Sequence, residues 1–245
     1  MIKKFLYTQL VVFILLSVTF GDAVFIRPFV TNRIALTGRS NPEADLASSP
    51  AALPKLKSFI ANVTNGHSDP TGIYVSGIFA YNIMQQPSNN AGFVSTQPEA
   101  LTQFRMALQY NTIGLLGHDY LAGSSFFKLK LNQDIVLVKG DGTLKYFRIF
   151  DIKRYQALSP SSPYSSFVDL DSKAKLSAEG LFYKIYGQGN DLVLQTCIST
   201  EKVSSWGRIF ILAQPVEHLT PTLDQFTPAV TTALHNISQS LHFHF

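Results

Sequence analysis

Leu192-Val193-Leu194-Gln195-Thr196-Cys197 is the stretch on which the chain turns. It reads as an apolar strand with a thiol at its end. Cys197 is the only cysteine among 245 residues, so no internal disulfide is available to it. A lone thiol is often just a small buried hydrophobe. Here it closes an apolar strand and opens the polar stretch 199–205, a position at the rim of a sheet. Access and a nearby cation are what make a thiol reactive.

Arg208 begins the next apolar stretch, Arg208-Ile209-Phe210-Ile211-Leu212-Ala213-Gln214, which Pro215 stops. A guanidinium at the start of a strand returning beside Cys197 has donors for a carbonyl or the oxyanion that develops on it. Well upstream, Thr112-Ile113-Gly114-Leu115-Leu116-Gly117 reads as a short buried strand that delivers His118 to an edge. An imidazole there could take a proton from a nucleophile and return it to a leaving group.

The surrounding pattern is mostly β. Residues 73–81 read as a strand pair or one bent strand broken at Gly77. Residues 134–138 and 144–152 flank Lys139-Gly140-Asp141-Gly142-Thr143, a hairpin with a Gly-Asp-Gly turn. Pro98 to Tyr110 reads as a helix, with Leu101, Phe104 and Leu108 at helical spacing. Residues 178–186 read as a second helix, ended by Gly187. Many short strands with few helices predict a mainly β fold, a closed β-barrel with a few short helices.

Composition bounds the function. The hydrophobic share of 46% supports a core, and the net charge is +4, or +3 once Lys3, Lys4 and Asp22 are removed with a leader. No dense basic run marks a nucleic-acid partner. Residues 1–23 have the basic, apolar and small-x-small order of a signal peptide, or else form a membrane anchor; the apolar run is shorter than the ~20 residues of a spanning helix. Either reading exports the rest of the chain, to the cell surface or beyond, and membrane contact is expected only through this segment. Residues 24–71 read as a linker or stalk with one short amphipathic helix near 53–63, residues 72–216 as the catalytic domain, and residues 217–245 as a loosely packed tail. The tail holds His218, His235, His242 and His244, which read better as tail residues than as a metal site.

Taken together, these residues resemble the sortases, exported cysteine transpeptidases of bacterial cell surfaces. Val193-Leu194-Gln195-Thr196-Cys197 fills the family's Thr-Leu-x-Thr-Cys strand, with Val193 where threonine is usual. A loop, Arg208 on the next strand, and His118 after an earlier one complete the pattern. His118-Asp119-Tyr120-Leu121-Ala122-Gly123 and Trp206-Gly207-Arg208-Ile209-Phe210 extend it. The resemblance implies the eight-stranded sortase barrel with its site near the ends of the Cys197 and Arg208 strands. It implies that Cys197 attacks a sorting-signal peptide to form a thioacyl-enzyme and that His118 protonates the leaving amine. Arg208 would hold the carbonyl and the tetrahedral intermediate, and the Thr196 region would support the oxyanion hole. The acyl group would pass to an amine, such as a cell-wall precursor or a pilin lysine, or to water.

Asp119 either favours the charged imidazole or caps the turn, and the turn is the better reading. Asp169 and Asp171 would suit calcium, but two carboxylates in a Ser-rich region more often hold a turn, so no metal or cofactor is expected. The sequons at Asn62 and Asn236 matter only in a glycosylating pathway. The competing readings are a catalytically silent sortase-like module that binds a peptide or wall polymer, and an L,D-transpeptidase. The latter family sets an arginine almost next to its cysteine, and Thr196-Cys197-Ile198-Ser199 has none.

Overall fold

A computed structural model of the protein describes residues 53–162, 164–189 and 191–217. The leader, most of the expected stalk, and the tail with its four histidines and Asn236 lie outside the described residues. Among the described residues no helix is long and apolar enough to cross a membrane.

Among the described residues, ten strands form one sheet. They are β1 (Pro70–Val75), β2 (Phe79–Gln85), β3 (Ala100–Phe104), β4 (Ile113–Leu116), β5 (Asp134–Lys139), β6 (Leu144–Ala157), β7 (Phe167–Asp169), β8 (Lys175–Leu176), β9 (Leu192–Ile198) and β10 (Gly207–Pro215). The order β10-β9-β4-β3-β2-β1-β5-β6 closes on itself because β6 also pairs with β10. Eight strands therefore make a closed barrel, as expected, and closure removes the free edges that an open sheet would expose. Most neighbours are antiparallel, but β2–β3 and β4–β9 are parallel. The 14-residue β6 serves three neighbours: β5, β10 and, at its far end, β7. The β7–β8 ribbon branches from there.

Residue alternation explains why β9 is apolar on both faces. Leu192 and Leu194 point into the barrel with Ile73, Leu101, Leu115, Leu137, Ile209 and Ile211, all fully buried. Each such side chain stabilises the fold by about 1.5–3 kcal/mol through burial. Val193 points outward, against Phe104, Phe182, Tyr186 and Phe210. Helix α3 (Ala178–Tyr186) covers that outer face and is capped by Ser177, whose Oγ accepts from the Gly180 amide at 3.0 Å. Phe104 meets Phe182 edge-on, with centroids 6.2 Å apart. On another side, α1 (Leu56–Val63) lays Phe59 and Val63 against Val138. A Cβ at Gly72 would lie 2.9 Å from both, so glycine permits this close approach.

The helix expected over residues 98–110 is not formed. Its first part is β3, and only α2 (Arg105–Leu108) makes a helical turn. All five residues of β3 are buried, between β2 and β4. A strand covered on both faces loses its alternation, and the apolar spacing of Leu101 and Phe104 then mimics a helix. Leu108, the third member of that pattern, is exposed. The hairpins at Gly77 and at residues 139–143 form as read, with Gly77 at φ +73° and Gly142 at φ +84°.

Candidate active site

β9 and β10 are antiparallel, and their register sets Cys197 directly opposite Arg208. On the far side of β10, Arg208 is opposite Tyr155 of β6, and Tyr155 is opposite Asp169 of β7. Register partners share a face of the sheet. Cys197, Arg208, Tyr155 and Asp169 thus form one transverse row on the outer face, where Val193 and Phe210 also lie. Every member is buried: the thiol residue is 7% exposed and the arginine 2%.

A buried guanidinium needs acceptors. Nη1 of Arg208 donates to the carbonyls of Ser205 (3.1 Å), in the β9–β10 loop, and Gly207 (2.8 Å), the first residue of β10. The same Ser205 points its hydroxyl at Cys197, with Oγ 3.7 Å from Sγ. At the end of the row, Asp169 Oδ1 accepts from the amides of Asp171 (2.9 Å) and Ser172 (3.1 Å), and Oδ2 meets Lys184 of α3 at 3.4 Å. Burial pushes this carboxyl up, but the two amides and the ammonium outweigh it, and it titrates below the ordinary range. Asp169 and Asp171 thus form a turn. Among the described residues no group of His, Cys, Asp and Glu is arranged to hold a metal ion.

His118 follows β4, the parallel neighbour of β9. Leu116 is opposite Gln195, and the Gly117 amide still bonds the Gln195 carbonyl at 3.2 Å. His118 lies two residues beyond Leu116, as Cys197 lies two beyond Gln195. Its carbonyl accepts from the amides of Leu121 and Gly123, which fixes the turn, and its ring stacks on Tyr120 at 5.1 Å. Burial holds the imidazole below its ordinary titration range, opposed by a hydrogen bond to the Val94 backbone and by Asp119. It is therefore neutral near pH 7 and able to accept a proton.

Asp119 does more than sit in the His118 turn. Its Oδ2 accepts from Ser199 Oγ at 2.5 Å, and Ser199 Oγ in turn accepts from the Ser205 amide at 3.2 Å. The turn bearing the histidine is thereby tied to the loop between the cysteine and arginine strands. Thr196 takes the opposite side of β9. Its partner is Ile209, a barrel-interior residue, and its Oγ1 is buried without a hydrogen bond, against Gly123. The Thr196 side chain accordingly faces away from the thiol.

Of the residues in this arrangement, the sequence reading names Cys197, Arg208, His118 and Asp119 but not Ser199, Ser205 or the Val94 carbonyl. The polar run 199–205 was visible, but nothing in it distinguishes Ser205, whose φ is +58°.

No family model and no curated protein matches the chain. It is similar to solved structures of sortases. Sortase A of Listeria monocytogenes shares 12% identity over 61% of this chain and 88% of that one, with a TM-score of 0.37. A lid mutant of Corynebacterium diphtheriae sortase A shares 14% identity over 62% and 72%, with a TM-score of 0.41. Clostridium perfringens sortase C, solved with its C-terminal cell wall sorting motif, shares 12% over 66% and 83%, with a TM-score of 0.40. These values are low, and the case for the barrel is the chain's own strand pairing.

Proposed function

We propose that this protein is a sortase-type cysteine transpeptidase, exported to the cell surface or beyond, that acts on a peptide sorting signal. The observation that carries the reading is the pairing of Cys197 with Arg208, side by side on adjacent strands of a closed eight-stranded barrel. The continued β4–β9 register supports His118 as the third member.

In this reading neutral His118 takes the proton from Cys197 as sulfur attacks the peptide carbonyl. A C–S bond forms and the carbonyl oxygen becomes an oxyanion beside Arg208. The imidazolium then protonates the peptide nitrogen, the C–N bond breaks, and the amine leaves. An incoming amine or water attacks the thioester, the C–S bond breaks, and the thiol recovers its proton. Burial of the arginine strengthens its interaction with the oxyanion relative to water. Leu-Pro-x-Thr-Gly-like peptides, a sorting signal of the kind the sequence resemblance implies, are the first substrates to try.

The test is intact-mass spectrometry of the protein with such peptides carrying a trappable carbonyl. The expected result is one adduct, on Cys197, that is lost in both Cys197→Ala and His118→Ala. No adduct, together with a thiol inert to a small alkylating agent, would favour the binding-module reading. The 7% exposure of Cys197 gives that alternative its one observation.

A further inference from the structure

We propose that Ser205 is a positioning residue that sets the thiol of Cys197 and the guanidinium of Arg208 relative to one another. Each polar group of this residue has a different partner in the site. Its amide donates to Ser199 Oγ at 3.2 Å, its hydroxyl reaches Cys197 Sγ at 3.7 Å, and its carbonyl accepts from Arg208 Nη1 at 3.1 Å. Through Ser199 the amide is also linked to Asp119, next to His118.

Two further observations mark the residue as set for this purpose. Ser205 is 5% exposed in a loop whose other residues from 199 to 204 are exposed. Its φ of +58° is in the left-handed region, which a non-glycine residue adopts only against a steric cost. A generic turn at this point would take glycine or asparagine. Serine retains the left-handed backbone, which turns the carbonyl toward Arg208, and adds a hydroxyl that glycine lacks. Arg208 and Cys197 lie on different strands, and a single loop residue spans both. A shift of the β9–β10 loop would therefore move the nucleophile's hydrogen-bond donor and the arginine's acceptor together.

The inference rests on the transpeptidase reading for what the thiol does, but not for the contacts themselves. The test variant is Ser205→Gly, which keeps the left-handed backbone and both backbone contacts and deletes only the hydroxyl. One lost hydrogen bond corresponds to about 2- to 10-fold. The variant is expected to lose about that factor in kcat with KM within about twofold, and its Tm should move by no more than about 2–4 °C. The rate at which a small alkylating agent modifies Cys197, read at one fixed pH, should change by more than about twofold, because the hydroxyl that orients the sulfur is gone. Unchanged kcat and an unchanged alkylation rate would overturn the proposal. A loss of Tm with an unchanged alkylation rate would reduce Ser205 to a turn former and overturn it too. If the wild-type protein turns over no peptide, the transpeptidase reading fails while the alkylation rate still decides the role of Ser205.

Discussion

Two rows of side chains cross β9, β10 and β6 and are held by different physics. Leu194, Ile211 and Ile152 are register partners that face the barrel interior. Three residues along β9, Cys197, Arg208, Tyr155 and then Asp169 of β7 make a row on the opposite face. The first row is apolar, and area removed from water stabilises it without regard to direction. The second is buried throughout, but its arginine and its carboxylate each sit against specific donors or acceptors. A barrel can tolerate such a row only where loop backbone supplies partners, and the β9–β10 turn does so. The apolar row should therefore respond to mutation in stability, and the polar row in chemistry.

The largest effect expected is at the end of the polar row. Cys197→Ala should remove all acyl-enzyme and turnover while the thermal transition stays near that of wild type; surviving turnover in the variant would sink the nucleophile assignment. Arg208→Ala comes next. Losing one oxyanion donor costs roughly 100- to 1000-fold in kcat, and a change under about threefold would remove Arg208 from the chemistry. Arg208→Lys should recover little of this, because Nη1 alone holds both the Ser205 and Gly207 carbonyls and lysine has no second nitrogen with which to reach a substrate oxygen as well. In the apolar row, Leu194→Ala should lower unfolding free energy by about 2–5 kcal/mol in denaturant titration, with kcat per folded molecule unchanged. If Leu194→Ala cut kcat as Arg208→Ala does, the two rows would not be separable.

The contrast also accounts for how much could be read without coordinates. Strands with a marker near one end were legible: β9 carries a thiol one residue before its end, β10 has an arginine at its second position and stops at Pro215, and the β5–β6 hairpin has its glycine turn. β3 was not legible, because burial on both faces erased its alternation. β7 and β8 were missed because three and two residues carry no period. Within the site, the residue types that bear chemistry stood out in the sequence. The serines that orient them did not, since the conformation of Ser205 is imposed by its partners and not by any neighbour in the chain. Which face of β9 Thr196 takes follows directly from alternation with Cys197, but its closeness to Gly123 is a long-range fact.

Gly123 is where the interior and the histidine turn touch, so it tests the separation at its weakest point. A Cβ there would meet Thr196 Oγ1 and would lie 2.7 Å from the carbonyls of both Gly117 and His118. Backbone cannot yield as a side-chain tip can. Gly123→Ala should therefore cost about 1–3 kcal/mol of stability, the usual range for overpacking. Because the displaced carbonyl belongs to His118, kcat should fall as well. A stability loss with kcat intact would show that the histidine turn moves independently of the barrel wall.

The smallest effect is a pH dependence of stability from His118. Burial lowers its titration in the folded chain below the ordinary value of 6.5, and the Val94 backbone and Asp119 only partly offset this. The unfolded chain then binds a proton more readily than the folded one as pH falls below 6.5, so unfolding takes up a proton in that window. The His118 contribution to stability is present above pH 6.5 and is lost as pH falls through the folded value. Asp191, whose carboxyl burial pushes up, acts in the opposite sense at lower pH, so wild type alone does not isolate the histidine. The measurement is urea unfolding of wild type and His118→Gln at pH 7.5 and at successively lower pH. The free-energy gap between them should shift against wild type on acidification, because the glutamine has nothing to protonate. A gap that stays constant would mean that the imidazole is as easily charged in the fold as out of it. Burial would then not be what keeps the resting histidine neutral, because an ordinary imidazole is already mostly neutral at pH 7.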